Sequence, residues 1–483
     1  MFYLILFIFI IGYVAIALEH PLKVDKAATA LLIGVLTWTV YILNAENILS
    51  LGYSPSWGEF GNQVKNITDH IKPSLSDSQW LVSGWAEKIG IINSPYRFVV
   101  EELEHHLIEI SEILFFLLGA MTIVEIVDQH EGFSVITDKI TTTSKIKLLW
   151  IIATITFFMS AVLDNLTTTI VMVALLKKLI EDKKTRWFFV SMVVLSANSG
   201  GAWSPIGDVT TIMLWIGGQI TASAIIIKVF LPSLISIAVP LIIVSFRMKG
   251  TVERPVKLKR EVTITSDRER LIVFLIGVGA LLFVPVFKTV THLPPYMGML
   301  FGLGILWIYT EIIHRTKPIE VTDKLKVFNI LRKVDTPTIL FFLGILTAVA
   351  CLQSAGHLNI TARWLNAHLG NVYLINTAIG LLSSIVDNVP LVAGSMGMYD
   401  IAINGSTGYE LLFVQDGTFW ELLAYCAGTG GSILIIGSAA GVAAMGIEKI
   451  DFIWYLKNVS LLALVGFFSG IAIYYLMFGL QIG

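Results

Sequence analysis

The chain has 483 residues, of which 55% are hydrophobic and only 14% charged, and its mean hydropathy is +0.78. A water-soluble domain carries about 25% charged residues, so this composition cannot cover a water-facing surface, and a net charge of −2 gives no electrostatic reason to bind nucleic acid. Apolar runs of about 20 residues, the length that crosses a bilayer as helix, recur along the chain, whereas the alternating segments of a membrane β-barrel do not. The predicted class is an all-α polytopic membrane protein whose surroundings are lipid.

The first apolar run, Met1 to Leu18, lacks the basic start and the clear small-residue cleavage site of a signal peptide, and reads as an uncleaved span. Spans are predicted at 2–18, 27–44, 105–127, 187–216, 224–246, 271–288, 296–313, 335–353, 419–446 and 459–479. A polar stretch, 45–100, is predicted as a partly helical insertion on the outer side. In the third span His105, Glu109 and Glu112 share one helical face. They lie in its outer turns, so a solvated or ion-paired face is the plainer reading, and proton access or pH sensing the alternative. Cys351 and Cys426 sit in apolar stretches without metal-binding spacing and read as small buried hydrophobes.

Two further apolar segments, 147–180 and 371–400, are each interrupted by Asp-Asn. The first is flanked by Lys145 and Lys147 on one side and by Lys177, Lys178, Lys183, Lys184 and Arg186 on the other. Positive flanks belong in the cytoplasm, and one crossing cannot place both there. A re-entrant hairpin with Asp164-Asn165 near its tip can. The second segment has only Arg363 nearby, so its hairpin, with Asp387-Asn388 at the tip, is predicted to enter from outside. This threading puts both termini outside and 26 of the 33 Lys and Arg in inner loops.

Three patterns recur in the same order. Ile113-Leu-Phe-Phe-Leu117 matches Ile339-Leu-Phe-Phe-Leu343; Ser160 with Asp164-Asn165 matches Ser383 with Asp387-Asn388; Gly200-Gly201 and Gly207 match Gly430-Gly431 and Gly437. The threading runs the members of each pair in opposite directions, which predicts an inverted repeat with substrate at the midplane.

The recurring residues are polar ones that lipid penalises. A bare Asp at bilayer depth costs roughly 2.5–3.5 kcal/mol on insertion scales, so Asp164, beside Asn165, Thr167, Thr168 and Thr169, must face protein, water or an ion. A helix N-cap would account for it structurally, and a cap oxygen still offers a lone pair to a cation. The span 187–216 is broken by Asn198-Ser-Gly-Gly-Ala-Trp-Ser-Pro-Ile-Gly207-Asp208-Val-Thr210-Thr211. Non-helical backbone at this depth is tolerated only where it lines a cavity, and carboxylate, amide, hydroxyl and carbonyl oxygens suit a hard cation. The structural alternative, a proline kink with a capping Asp208, is the less favoured reading. The second half offers Asp387 and Asn388 at its hairpin, and Thr429 and Ser432 at its break, but no acid equivalent to Asp208; the matching position is roughly Ser438. Asp164 and Asp208 are therefore the expected primary site for a metal cation.

These motifs resemble the NhaD-type sodium/proton antiporters, within a superfamily that includes arsenite exporters and sodium-dicarboxylate cotransporters. The resemblance extends from Leu18-Glu-His-Pro-Leu22 to the last span, and its specific motifs are 160–169, 198–211 and 384–390. It implies a homodimer of elevator type, in which a mobile domain of two hairpins and two broken helices moves against a scaffold. It also implies that Ser160, Asp164, Asn165, Thr168, Asn198, Asp208, Thr210, Thr211, Asp387 and Asn388 bind the ion, in the inner membrane of a bacterium. Where dicarboxylate carriers have Gly-Thr-Pro-Pro-Asn at the break and Ser-Asn-Thr at the hairpin tips, this chain has Gly207-Asp208-Val-Thr-Thr and Asp. Three carboxylates repel a dianion.

The expected activity is secondary exchange of Na+ or Li+ for H+ at a shared carboxylate site, without a cofactor. The alternatives are an arsenite or anion exporter, or a Na+-coupled carboxylate symporter, of the same superfamily. An enzyme is disfavoured by the absence of a His-Glu-x-x-His or Gly-x-Ser-Gly motif. The expected domains are scaffold spans with the insertion (1–128), the first hairpin, broken span and following span (129–246), a cytoplasmic linker (247–270), second-repeat scaffold spans (271–353), and the second hairpin, broken span and last span (354–483).

Overall fold

The computed structural model describes residues 1–17, 19–62, 94–137, 139–254, 265–315, 317, 325–403 and 405–479. Most of the polar insertion (63–93) and the middle of the linker (255–264) lie outside the described residues. The described residues form helices and isolated β-bridges, with no named strand among them. The principal helices are α1 (Phe2–Ala17), α2 (Lys26–Leu43), α3 (Pro95–Gln129), α4 (Lys145–Leu163), α5 (Asn165–Leu179), α6 (Lys183–Ala202), α7 (Val209–Ile216), α8 (Ala222–Arg247), α9 (Asp267–Thr291), α10 (Pro295–His314), α11 (Thr336–Ser354), α12 (His357–His368), α13 (Val372–Leu382), α14 (Asn388–Met398), α15 (Thr418–Gly430), α16 (Ala439–Glu448) and α17 (Ser460–Phe478). Eight of these, α2, α3, α4, α8, α9, α10, α11 and α17, are long and apolar enough to cross a membrane. The chain is a multi-pass, all-helical membrane protein.

Two elements depart from the hydropathy reading. Helix α3 has 35 residues and starts ten residues before the predicted span, because Pro95 suits the first helical position and the Arg97–Glu101 pair, spaced i, i+4, supports a polar first turn. Helix α12 was not anticipated. Its polar composition hides it from a hydropathy window, yet His357, Leu358 and Ala362 form a buried stripe.

The chain falls into two compact units. The first holds the described residues within 1–114, 336–370 and 393–400. Its centre is the pair α2–α11, whose backbones touch: a Cβ on Gly344 would lie 2.4 Å from the Ala30 carbonyl carbon, and one on Gly34 would lie 2.8 Å from Gly344 O. Trp38 Nε1 donates to Thr347 O at 2.8 Å and the Tyr41 hydroxyl to Ser354 O at 3.1 Å. These bonds give two buried polar groups partners that lipid cannot supply.

The second unit holds residues 115–335, 371–392 and 401–479 of the described chain. Here α4 and α5 form a helical hairpin. Its start and its end are tied to one segment: Val252 N donates to Thr143 O, Lys145 N to Gly250 O, and Glu181 N to Glu253 O. The excursion that turns at Asp164 therefore returns to the level from which it began. Helix α4 packs on α6, and α13 on α15. The backbone approach is equally close in both pairs. A Cβ on Gly200 would sit 2.2 Å from Phe157 O, and one on Gly430 2.0 Å from Gly380 O. Ser160 donates to Ala197 O at 2.6 Å and Ser383 to Ala427 O at 2.7 Å, which locks each outer helix to its broken partner.

A cluster of amides and carboxylates where four helix ends meet

Each broken span has a half-helix whose first turn is capped by a side chain from the break. Helix α6 ends at Ala202, and the chain runs non-helically through Pro205 and Gly207 to Asp208, the N-cap of α7. The Asp208 Oδ1 accepts Thr210 N at 3.0 Å and the Thr210 hydroxyl at 2.9 Å, while Thr211 Oγ1 accepts Asp208 N at 3.3 Å. A capping side chain is worth about 1 kcal/mol. In the second broken span α15 ends at Gly430, and Ser438 caps α16 by accepting Gly441 N at 3.2 Å. The position that carries a charge in one half carries a neutral hydroxyl in the other.

Asp208 is 1% exposed, and both hairpins reach it. Asn165 Nδ2 donates to Asp208 Oδ2 at 2.6 Å, and Asn388 Nδ2 lies 3.3 Å from the same oxygen. Asn165 also donates to Asn198 Oδ1 at 3.0 Å, and Asn198 in turn donates to the hydroxyls of Ser432 and Ser438, both at 2.8 Å. This chain orients the amides. The Asp208 carboxylate only accepts, so Asn165 turns its NH2 to it; the same NH2 meets Asn198 Oδ1, which leaves the Asn198 NH2 for the two hydroxyls. Residues from α5, α6, the α6–α7 break, the α15–α16 break and the start of α14 thus meet within hydrogen-bond reach.

Asp164 is the joint of the first hairpin. Its φ of 77° and ψ of 161° lie in a region that is nearly glycine's alone, a conformation costing of order 1–3 kcal/mol. The side chain compensates by accepting Thr167 N and the Thr167 hydroxyl, both at 2.8 Å. Asp208 lies within Coulomb range of both Asp164 and Asp387. Asp387 itself accepts Val389 N at 3.1 Å at the head of α14. Beside Asn165, the hydroxyls of Thr168 and Thr169 are buried and make no hydrogen bond to a described residue, a costly state for a buried donor unless a ligand or water completes it.

The structure therefore brings Asn165, Asn198, Asp208, Thr210, Asn388 and Ser432 into one connected network, with Asp164, Asp387 and Thr168 at its edge. Thr211 and Ser160 serve as cap and interhelical brace. Thr429 turns its hydroxyl to Tyr425 O in its own helix. His105, Glu109 and Glu112 lie on α3 in the other compact unit, where His105 and Glu109 are exposed and pair at 3.6 Å. Sequence reasoning missed an ion pair between a buried acid of the second broken span and a half-buried lysine of α8. Lys228 meets Glu421 at 2.6 Å, and the Tyr474 hydroxyl donates to Glu421 at 2.6 Å. Each charge stands visibly in an apolar run, but their pairing across 193 positions has no local signal. Outside the spans, Asp182 caps α6, and the Thr185 backbone and hydroxyl hold its carboxyl below the usual range.

The chain matches the family model described as citrate transporter over residues 4–414. It is 51% identical over 396 residues to sodium/proton antiporter 1 of Arabidopsis thaliana, covering 81% of this chain and 66% of the relative, just under two thirds of its length. It is 48% identical over 400 residues to sodium/proton antiporter 2 of the same plant, covering 81% and 91%. To the Na+/H+ antiporter NhaD of Alkalimonas amylolytica it is 30% identical over 429 residues, covering 82% of each. Asp164, Asn165, Asn198, Asp208, Asp387 and Asn388 lie within the residues matched by the family model, and the chain belongs to the citrate transporter family and, within it, to the NhaD-type sodium/proton antiporters.

Proposed function

We propose that the chain is a secondary transporter that exports Na+ or Li+ in exchange for H+, with the cation and the proton taking turns at Asp208 and Asp164. The names of its relatives support exchange of these ions. The observation that carries the site is the double claim on Asp208: one amide from each hairpin donates to a carboxylate shut off from water. A carboxylate without water needs a proton, a cation or donors. In the present state it has donors. Rotation of the Asn165 and Asn388 side-chain amides, a soft two-fold torsion, would replace NH2 by oxygen and build an oxygen cage for a hard cation. The amides would thus stand in for the ion while the site is empty.

The matched braces Ser160–Ala197 and Ser383–Ala427, the matched glycine contacts and the matched caps support an inverted repeat built from the two hairpins and two broken spans. An elevator movement of that assembly, a homodimer, placement in a bacterial inner membrane and outward-facing termini complete the proposal, as does the division into the five segments predicted from hydropathy.

A second reading, carboxylate transport, is suggested by the description of the family model. The charge of the cluster opposes it. Among the described residues, the side chains bonded to the Asp208 carboxylate are two amides and a hydroxyl, and three acids gather there. Purified protein in liposomes, with internal pH followed by a dye, tests both. Sodium or lithium added outside acidified vesicles should drive proton movement, and citrate or arsenite should not accumulate. Citrate uptake with no cation-driven proton flux would refute the exchange reading.

A further inference from the structure

Helix α7 holds the proposed ion carboxylate at one end and an ammonium at the other. The carbonyls of Met213 and Leu214 are met by the turn that follows, through Gly217, Gln219 and Ile220 N–H groups. The Trp215 carbonyl is met by Lys288 from the last turn of α9, at 2.9 Å. The same ammonium lies over the Trp215 indole, 4.7 Å from its centroid, and that indole is only 3% exposed. Lys288 is the single charged residue between Arg270 and His292. A lysine at the end of a span ordinarily snorkels to the headgroups; this one turns to a helix terminus and an aromatic face, where a cation is favoured on both counts. The half-helix of the second broken span also ends on a lysine and a tryptophan. Lys177 and Trp187 donate to Ile447 O and Glu448 O. There the partners come from α5 and α6, beside the half-helix, and Glu448 neutralises the lysine at 3.7 Å.

We propose that Lys288 tunes how tightly the Asp208 site holds any cation, acting through α7 as a positioning and electrostatic residue. The inference rests on the exchange reading above. An eight-residue helix is about 12 Å long, so the ammonium lies about 13 Å from the cluster, and at an effective dielectric of about 20 it disfavours a second positive charge there roughly tenfold. The effect acts on Na+ and H+ alike, because both bring one charge. Among the described residues, the other charges facing the cluster are Asp164 at the α4–α5 joint and Asp387 at the head of α14, both of which attract cations; Lys288 opposes them and keeps the site from holding its ion too long to release it.

The test compares Lys288→Gln and Lys288→Met with Lys288→Arg in liposomes, normalised to inserted protein. At a pH well above the midpoint, where protons no longer compete for the site, both neutral variants should lower the apparent KM for sodium about tenfold. Both should also move the pH of half-maximal exchange about one unit alkaline, since the site then keeps its proton to higher pH. Arginine, which retains the charge, should restore both values. A purely structural role would lower the maximal rate and leave KM and the pH midpoint in place, and that outcome overturns the proposal. So does an equal shift in all three variants. A wild-type protein without cation-driven proton movement overturns the exchange reading and this inference together, whereas an active wild type with unmoved neutral variants overturns only the inference.

Discussion

Replacing Asp208 by Asn separates the architecture of the cluster from its charge. The variant keeps one acceptor oxygen, which can face Asn165 (2.6 Å from Oδ2 in the native site), and gains an NH2 near Thr210. One donor among Asn165, Asn388 and Thr210 loses its acceptor, at about 1–3 kcal/mol for an unsatisfied buried group. That is a fraction of the stability of a folded domain, roughly 5–15 kcal/mol, so the variant should insert and purify. The loss to a bound cation is larger: removing a unit charge about 3 Å away at an effective dielectric of about 20 forfeits about 5 kcal/mol. With about 1.4 kcal/mol per factor of ten, sodium affinity should fall by three to four orders of magnitude. Sodium-driven proton movement in liposomes should therefore be undetectable at millimolar sodium, while size-exclusion and thermal unfolding profiles stay near wild type. Exchange within tenfold of wild type would show that Asp208 does not hold the ion and would remove the central argument for the site.

Three further outcomes test the packing. Gly200→Ala places a methyl 2.2 Å from Phe157 O; backbone cannot give way as a flexible side chain would, so the thermal midpoint in detergent should drop by the equivalent of about 1–3 kcal/mol. Glu448→Ala strands Arg186, 2.8 Å away and mostly buried, and Lys177 at 3.7 Å. Its cost should be about 2–3 kcal/mol in the same assay, discounted because Lys177 is exposed. Asp182 has its carboxyl lowered from 3.8 by the Thr185 backbone and hydroxyl, so its cap contributes above that pH and is lost as pH falls further. Hydrogen exchange at the Thr185 amide should be faster in Asp182→Ala than in wild type at pH 7, and the difference should shrink as the native carboxyl protonates. An unchanged rate at pH 7 would dismiss the cap.

What local chemistry writes into this chain is read easily. A lipid-facing helix needs about 20 apolar residues, and the long spans stand where hydropathy places them. Gly, Pro and Asp cannot continue a buried helix without a reason, so the breaks at Gly200–Asp208 and Gly430–Ser438 and the joint at Asp164 are legible from residue types alone. The missed helix α12 is the counterpart: its polar residues defeat a hydropathy window, and only burial of His357 and Leu358 distinguishes it.

The sequence by itself determined the membrane class, the breaks and most of the residues in the polar network, because each of those follows from a residue's own solvation cost. Tertiary structure alone decided who bonds to whom. That Asn165 turns its amide to Asp208, and that Asn198 beside it gives its N–H groups to Ser432 and Ser438, more than 230 positions away, exists only in the packed molecule. The pairing of Lys228 with Glu421 and of Lys288 with the end of α7 belongs to the same kind. Burial is a property of one residue and its neighbours in the chain; a hydrogen bond between remote segments exists only once the helices have packed, so no run of residues can announce it.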